Sequence, residues 1–210
     1  MHLMYFTEQP MSAYPVEEAK RGGNITSLMF SNKHYDPVAA SCLYNGYIDD
    51  YVLAGWNGPV RLSELFGDRR DLIVIHNMGA GCPSCTMWAD GFNGVYDHLA
   101  ARAAFVVASP DQVEAQKRFA ASRGWRFPMV SYDGGRFAED MGFRHRDDDP
   151  TDEAMGGWNA GVSIFRCDGG RIWRVSDAEF GEADGFCVVY SLFDLFPEGG
   201  LTWQPRYSYA

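Results

Sequence analysis

The sequence lacks the features that mark nucleic-acid-binding, membrane and secreted proteins. It has no lysine-rich stripe, and 18 Lys and Arg residues against 28 Asp and Glu give a formal net charge of −10. Because nucleic acids and anionic membranes are bound through basic side chains, this balance argues against both as partners. No apolar run approaches the roughly 18 residues that a transmembrane helix needs. The first residues also lack the pattern of a signal peptide, so we expect a cytoplasmic location.

Cysteine is scarce. The chain has five cysteines: Cys42, Cys82, Cys85, Cys167 and Cys187. An odd number with only one close pair argues against the disulfide framework of a small secreted protein. Zinc needs about four ligands, and there is no second close pair to complete such a site. We therefore expect one special pair, three single thiols that act as small buried hydrophobes, and no metal or other cofactor. Of the three, only Cys42 is considered as a partner for another thiol.

The composition predicts one folded domain with extra arms. Hydrophobic residues make up 46% of the 210 residues and aromatic residues 15%, which is enough for a substantial core. Residues 1–46 show no sustained periodicity, and we expect them to form an N-terminal arm that packs on the domain, with a short helix near Val16–Arg21. The domain itself is expected at 47–199. Residues 200–210 form a tail whose aromatic side chains make a homodimer plausible.

The patterns from residue 51 onward predict an α/β fold. Asn57-Gly58 between two short apolar runs indicates a hairpin, and Asp168-Gly169-Gly170 indicates a second one. Between them the pattern alternates strand, helix, strand and helix. Its elements are a buried strand at Asp71–His76, a helix after Cys85, a strand at Ala104–Ser109, a helix that ends at Gly124, a short extended piece at 127–131 and a helical turn at 137–141. A last helix is expected over about 186–196. Strand–helix–strand connections require parallel pairing, so we expect a mixed central sheet flanked by helices in three layers.

Several local expectations can be checked directly. Ser63 is a possible cap for a short helical turn at 63–66. Ser109 followed by Pro110 predicts that the next helix is capped by Ser109. Gly91 and Gly94 interrupt a helical apolar pattern, which predicts a kink or a close packing contact there.

The segment Gly81–Cys85 carries the chemistry. It follows a buried strand and opens a helix, where unpaired backbone N–H groups and the helix dipole stabilise a thiolate. A cysteine at such a position can have its pKa lowered well below about 8.5. We predict a dithiol–disulfide site in which Cys82, the more exposed thiol, attacks a disulfide and Cys85 resolves the mixed disulfide. Half of a zinc site, or an inert pair, is the alternative.

Four segments resemble a bacterial thioredoxin-like family that is filed as a domain of unknown function, within the thioredoxin and peroxiredoxin-like superfamily. These segments are Gly81-Cys82-Pro83-Ser84-Cys85 with Trp88-Ala89-Asp90, Gly124–Pro128, Gly161–Phe165 and Leu192–Pro197. The resemblance covers roughly residues 47–199 and implies the thioredoxin-like fold with an N-terminal β-hairpin.

Two positions depart from the thioredoxin pattern. Thioredoxins have a cis-proline beside the cysteine pair, where this chain has Asn159-Ala160-Gly161, so Ala160 and Gly161 are the candidate substrate-docking positions. Thioredoxins also have a buried acid six residues before the first cysteine, where this chain has His76. We therefore consider His76 as a proton acceptor for Cys85 or a group that tunes the pKa of Cys82, against a strand histidine that bonds to the backbone.

Other residues have two interpretations each. Trp88, Trp125 and Phe127 could line a substrate groove, but core packing is favoured for all three. Asp90 could pair with His76 or an arginine, but a surface aspartate is favoured. The acidic run at 147–153 contains Pro150 and lacks the ligand spacing of a calcium loop, so a solvated loop is favoured.

Three functions remain open. The first is an oxidoreductase that acts on a protein or small-molecule disulfide with an unidentified electron donor. The second is a thiol peroxidase of the peroxiredoxin-like type, although the Thr-x-x-Cys motif is absent because Gly79 stands three residues before Cys82. The third is a non-catalytic binding module that retains the fold.

Overall fold

The computed structural model describes residues 47–132, 134–145, 157–181, 185–197 and 203–209. The expected N-terminal arm, its short helix and Cys42 lie outside the described residues, as does the acidic run at 147–153. In the part of the chain that is described, no helix is both long and apolar enough to cross a membrane.

The described residues form a seven-stranded sheet and four α-helices. The strands are β1 (Val52–Gly55), β2 (Gly58–Arg61), β3 (Asp71–His76), β4 (Ala104–Ser109), β5 (Met129–Ser131), β6 (Gly161–Asp168) and β7 (Arg171–Glu179). The helices are α1 (Pro83–Arg102), α2 (Val113–Arg123), α3 (Phe137–Asp140) and α4 (Val188–Phe193), and a 3₁₀ helix spans Leu62–Phe66.

The sheet is mixed, as the pattern predicts. Its strand order is β2-β1-β5-β4-β3-β6-β7. The central strands β3, β4 and β5 are parallel, whereas both hairpins are antiparallel to their neighbours. The continuous apolar run of β3 follows from its central position, because both of its faces are covered. The expected three-layer α/β fold with an N-terminal hairpin is confirmed.

Alternate residues of β3 face two different layers of the core. Leu72 and Val74 pack with the 3₁₀ helix and α3, whereas Ile75 packs with residues of α1 and α2. This alternation follows from the two-residue period of a strand. It also decides which layer each functional side chain near the end of β3 enters.

Two predicted helix caps are wrong. The 3₁₀ helix is preceded by Arg61, and Ser63 instead donates its hydroxyl to the Asp50 carboxylate at 2.8 Å. Ser109 belongs to β4, and α2 begins only at Val113. The hydroxyl of Ser109 accepts a 2.9 Å hydrogen bond from Gln116, so it satisfies a buried amide rather than a helix end. The predicted end of α2 is confirmed, since Gly124 adopts a left-handed conformation with φ of 67°.

The close packing contact expected at the glycines of helix α1 is absent among the described residues. The helix continues from Pro83 to Arg102, and both Gly91 and Gly94 are exposed. A Cβ atom at either position would meet no atom within 4 Å. Close packing therefore does not explain either glycine in the described part of the chain.

Candidate active site

The loop between β3 and α1 is held in place by one of its own side chains, Asn77, and by Asp111, which follows β4. Asn77 accepts a hydrogen bond from the Gly79 N–H at 2.8 Å and donates one to the Cys85 carbonyl at 3.3 Å. The Ala80 N–H donates to Asp111 at 2.8 Å. Gly79 has a φ of 101°, and a Cβ there would lie 3.1 Å from the Asp111 carboxylate oxygens. Glycine at 79 therefore allows the close approach that holds the loop in place.

Cys82 occupies the N-cap position of α1. Its sulfur accepts the Cys85 backbone N–H at 3.1 Å, in the way a capping oxygen would, and Pro83 occupies the first turn. The hydrogen bond from the Cys85 side chain, with backbone N–H groups of Cys85 and Ser84, lowers the pKa of Cys82 to about 7 despite burial. Cys82 is therefore about half thiolate at neutral pH.

Cys85 has the opposite electrostatic environment. The hydrogen bond that it makes to Cys82, its burial and the charge of Cys82 all raise the pKa of Cys85. The two thiols titrate as one interacting pair, and after the first proton is lost the remaining proton stays on Cys85. The arrangement provides one nucleophile and one protonated second thiol.

Cys82 is less accessible than its sequence position suggests. It is the more exposed of the two thiols, as expected, but both are buried, with Cys82 4% exposed and Cys85 2% exposed. The reason is that Trp88, Ala160 and Tyr190 pack around the pair. The C-terminal segment also contacts the loop before Cys82, because the Tyr207 hydroxyl donates to the Ala80 carbonyl at 2.9 Å.

A cavity of about 370 Å³ lies beside the nucleophile. Cys82, Trp88 and Ala160 form part of its wall, and Phe180 and Tyr190 contribute aromatic surface. Glu179 is the charged residue of its described lining. The cavity is large enough for a small organic molecule and is mostly apolar.

His76 lies in the other layer of the core. Its Nδ1 hydrogen-bonds the Tyr132 hydroxyl at 2.9 Å, its Nε2 hydrogen-bonds the Ser163 hydroxyl at 3.0 Å, and its ring stacks on Phe143. Burial lowers the pKa of His76 to about 3, so the ring is neutral at physiological pH. Both ring nitrogens are engaged by side-chain hydroxyls rather than by a cysteine, and the expected bond to the backbone is wrong because the strand places the ring between Tyr132 and Ser163. A catalytic role for His76 stays a prediction.

Ala160 and Gly161 have different surroundings. Ala160 packs in the same cluster as the cysteine pair and lines the small cavity. Gly161 pairs with His76 across β3 and β6, and a Cβ there would overlap the Phe143 ring and the Ala178 carbonyl. Glycine at 161 is therefore explained by packing.

Only one of the three candidate groove aromatics reaches the cysteine pair. Trp88 belongs to that cluster, whereas Trp125 and Phe127 are buried with Ile75 in the layer of α1 and α2. The indole N–H of Trp125 donates to Asp90 at 2.8 Å, and Arg123 forms an ion pair with the same carboxylate. Asp90 is therefore a structural partner that ties α1 to α2, and the expectation of an unpaired surface aspartate is wrong.

The sequence reasoning missed the C-terminal contribution to the site. Cys187 is 5% exposed and lies in the same buried cluster as Cys82 and Cys85, together with Tyr190 of α4. Burial of Cys187 was expected, but its neighbours were not. More than 100 residues separate it from the pair, and no local pattern connects distant segments in this way.

Comparisons with known structures agree with this architecture. The chain is similar to the peroxidoxin BcpB of Mycobacterium tuberculosis, with 25% identity, a TM-score of 0.50, and coverage of 64% of this chain and 83% of that one. It is also similar in fold to a mutant PrxQ of Xylella fastidiosa, with 15% identity, a TM-score of 0.54, and coverage of 67% and 87%. No curated protein sequence matches the chain.

A family model gives the assignment that the geometry alone does not. It matches residues 45–207, which include the whole described domain from the first hairpin to the C-terminal segment. The thioredoxin-like fold, the cysteine pair at the start of α1 and the peroxiredoxin-like structural neighbours support a thiol-based redox function in broad terms. The chain belongs to the family described as bacterial protein of unknown function, DUF899.

Proposed function

We propose that the protein is a dithiol–disulfide oxidoreductase in which Cys82 is the nucleophile and Cys85 is the resolving thiol. One observation carries this proposal. The Cys82 sulfur caps α1, accepts the Cys85 N–H at 3.1 Å and has a pKa lowered to about 7, while the adjacent Cys85 has a raised pKa. A nucleophile with a pKa near ambient pH is optimal for thiol–disulfide exchange.

The reaction has two exchange steps. The Cys82 thiolate attacks one sulfur of the substrate disulfide, forms a mixed disulfide and releases the other substrate sulfur as a thiolate. Cys85 gives its proton to a departing substrate thiolate and attacks the Cys82 sulfur. The second substrate sulfur leaves as a thiolate, which takes a proton from water, and a Cys82–Cys85 disulfide remains. Two electrons have passed to the substrate, and an external dithiol or other electron donor must return them.

The site favours a small substrate over a folded protein. Cys82 is only 4% exposed, and a cavity of about 370 Å³ gives access to it. Trp88 and Ala160 are the candidate substrate contacts because both line this cavity. The chain's negative charge and the position of Glu179 favour neutral or cationic disulfides, such as cystamine, over anionic ones.

The test is a redox titration of the full chain in glutathione buffers, followed by trapping of free thiols and peptide mass mapping. We expect a reversible Cys82–Cys85 disulfide at a potential between about −120 and −270 mV. Reduction of cystamine should depend on Cys82, and a C167S variant should behave like the unmodified protein because Cys167 lies at the far end of β6. Cys82 and Cys85 thiols that remain unpaired over this range would rule out the exchange mechanism.

A thiol peroxidase is the second candidate, and the burial of Cys82 favours it. A hydroperoxide is small enough for the cavity, and the 25% identical structural neighbour is a peroxidoxin by name. The Cys82 thiolate would attack the terminal peroxide oxygen, giving a sulfenic acid and an alcohol. Cys85 would then condense with the sulfenic acid, releasing water and leaving the same disulfide.

The two candidates differ in the oxidant that the reduced protein consumes. Mixing the reduced chain with equimolar cumene hydroperoxide or cystamine, and following formation of the Cys82–Cys85 disulfide, separates them. If the protein is a dithiol–disulfide oxidoreductase, cystamine should oxidise the cysteine pair faster than the hydroperoxide. Faster oxidation by the hydroperoxide would show that the protein is a thiol peroxidase, despite the missing threonine at position 79.

A further inference from the structure

A second, larger cavity lies on the other side of Trp88. Its volume is about 860 Å³, and it lies between α1 and the segments 185–191 and 203–209. Trp88, Phe92 and Leu99 form its α1 wall, and Phe186 and Trp203 face them. The wall from Trp88 to Leu99 extends about 16 Å along the helix axis, given the rise of 1.5 Å per residue. The cavity is thus a long apolar groove rather than a compact hole.

Gly91 supports a binding role for this groove. Glycine inside a helix is destabilising relative to alanine, so an interior glycine calls for a reason. No described atom lies within 4 Å of a Cβ built at Gly91, so packing supplies none. Gly91 lines the large cavity, whereas Gly94, which is equally exposed, is not part of its described lining. The missing side chain at 91 keeps the floor of the groove open.

Trp88 supplies an unused hydrogen-bond donor. The side chain is only 6% exposed, and its Nε1 is buried with no hydrogen-bond partner among the described residues. Buried indole N–H groups usually have a partner, and one without a partner is costly. Trp88 borders the large cavity as well as the small one, and we take a ligand oxygen placed against its indole edge from the groove as the missing partner.

The charges around the groove favour an anion. Arg206 and Asp90 are the charged residues in its described lining. Asp90 is already held by Arg123 and Trp125, so its charge is compensated. The exposed Arg206 lines the groove and forms no ion pair with another described residue, so it provides a cation there.

We propose that this groove binds an amphipathic carboxylic acid with a long apolar chain. The chain lies along α1 over Gly91, the carboxylate accepts the Trp88 N–H, and Arg206 attracts its charge. The proposal goes beyond the redox function, since binding requires no turnover of the cysteine pair. Its failure and the failure of the redox proposal are therefore separate results.

The experiment is isothermal titration of the full-length reduced chain with dodecanoate, and with dodecanol as a neutral probe with the same chain. We expect one saturable dodecanoate site, with affinity rising about fourfold per methylene from octanoate to dodecanoate. G91L should weaken binding at least tenfold by filling the groove, whereas the matched G94L should not change it. R206A should weaken the binding of dodecanoate about tenfold and leave the binding of dodecanol unchanged.

A W88F variant tests the donor and provides a second route if G91L does not fold. It keeps the aromatic surface and removes the N–H, so dodecanoate should bind about tenfold more weakly. The proposal is overturned if dodecanoate shows no saturable binding, if G91L and G94L bind it equally, or if R206A affects both probes alike. It is also overturned if dodecanoate fails to bind and G91L instead changes the sedimentation of the chain, because the groove would then be an interface between two copies.

Discussion

His76 and Cys82 are six residues apart, both are buried, and both have a lowered pKa, yet their surroundings give them opposite properties. His76 ends β3 and points into the layer of the 3₁₀ helix and α3. Cys82 begins the connection into α1 and lies next to an open cavity. The pKa of His76 is about 3 and that of Cys82 about 7.

The difference lies in which form each environment stabilises. Burial disfavours the charged form of any group, so it lowers the pKa of His76 and by itself would raise the pKa of a thiol. At Cys82 the N–H groups at the helix start and the Cys85 thiol outweigh this effect of burial and lower the pKa. Burial alone therefore makes a buried group inert, whereas burial with directed donors makes it reactive.

Replacing Cys82 by serine should have the largest effect. We expect at least about a thousandfold loss of disulfide-reducing activity, because the nucleophile is removed. The free energy of unfolding should change little, since serine is also a good N-cap residue. The measurement is cystamine reduction with C167S as the control. Activity that survives in C82S would place the nucleophile elsewhere.

Replacing His76 by leucine should lower stability and leave the thiol chemistry intact. The change leaves the Tyr132 and Ser163 hydroxyls without their imidazole partner, so we expect the free energy of unfolding to fall by about 2–5 kcal/mol. The pKa of Cys82, followed by the pH dependence of iodoacetamide alkylation, should stay near 7. A shifted Cys82 pKa in H76L would show that His76 takes part in the site after all.

The pH dependence of stability should carry the signature of His76. Its pKa in the folded state is about 3, below the ordinary value of 6.5. Below pH 6.5 the unfolded chain binds a proton that the folded chain does not, so stability falls as pH drops toward 3. The loss approaches about 1.4 kcal/mol per pH unit only well below pH 6.5, and it totals between about 1 and 2 kcal/mol from pH 6.5 to pH 5. Urea unfolding at the two pH values measures the loss of unfolding free energy. The share of this pH dependence that is absent in H76L is due to His76.

The sequence was sufficient to predict the sheet and the location of the chemistry. Asp71–His76 and Ala104–Ser109 were predicted with the observed boundaries, because a central parallel strand is a continuous apolar run. The two hairpins and the end of α2 at Gly124 followed from turn and capping residues whose backbone requirements are local. These features depend on a few neighbouring residues, so a local pattern is enough to find them.

The surroundings of the cysteine pair were not predictable in the same way. Tyr190, which packs in the cluster that buries Cys82, lies more than 100 residues downstream, and so does Tyr207, which bonds to the loop before Cys82. The Ser109 pattern was that of a helix cap, but the buried amide of Gln116 takes its hydroxyl instead. In both cases a tertiary contact replaced the local preference, and a single sequence contains no signal for such a contact.

Replacing Cys85 by alanine should have the smallest of these effects and isolates one donor. The change removes the side-chain hydrogen bond that is the largest cause of the lowered Cys82 pKa, but it keeps the Cys85 backbone N–H at the sulfur. We expect the pKa of Cys82 to rise from about 7 toward the ordinary thiol value of about 8.5. The rate of alkylation at pH 6.5 should fall accordingly, while the rate at pH 10 should hardly change. An unchanged pKa in C85A would mean that the helix start alone stabilises the thiolate. The contrast with His76 would then rest on backbone N–H groups rather than on the partner thiol.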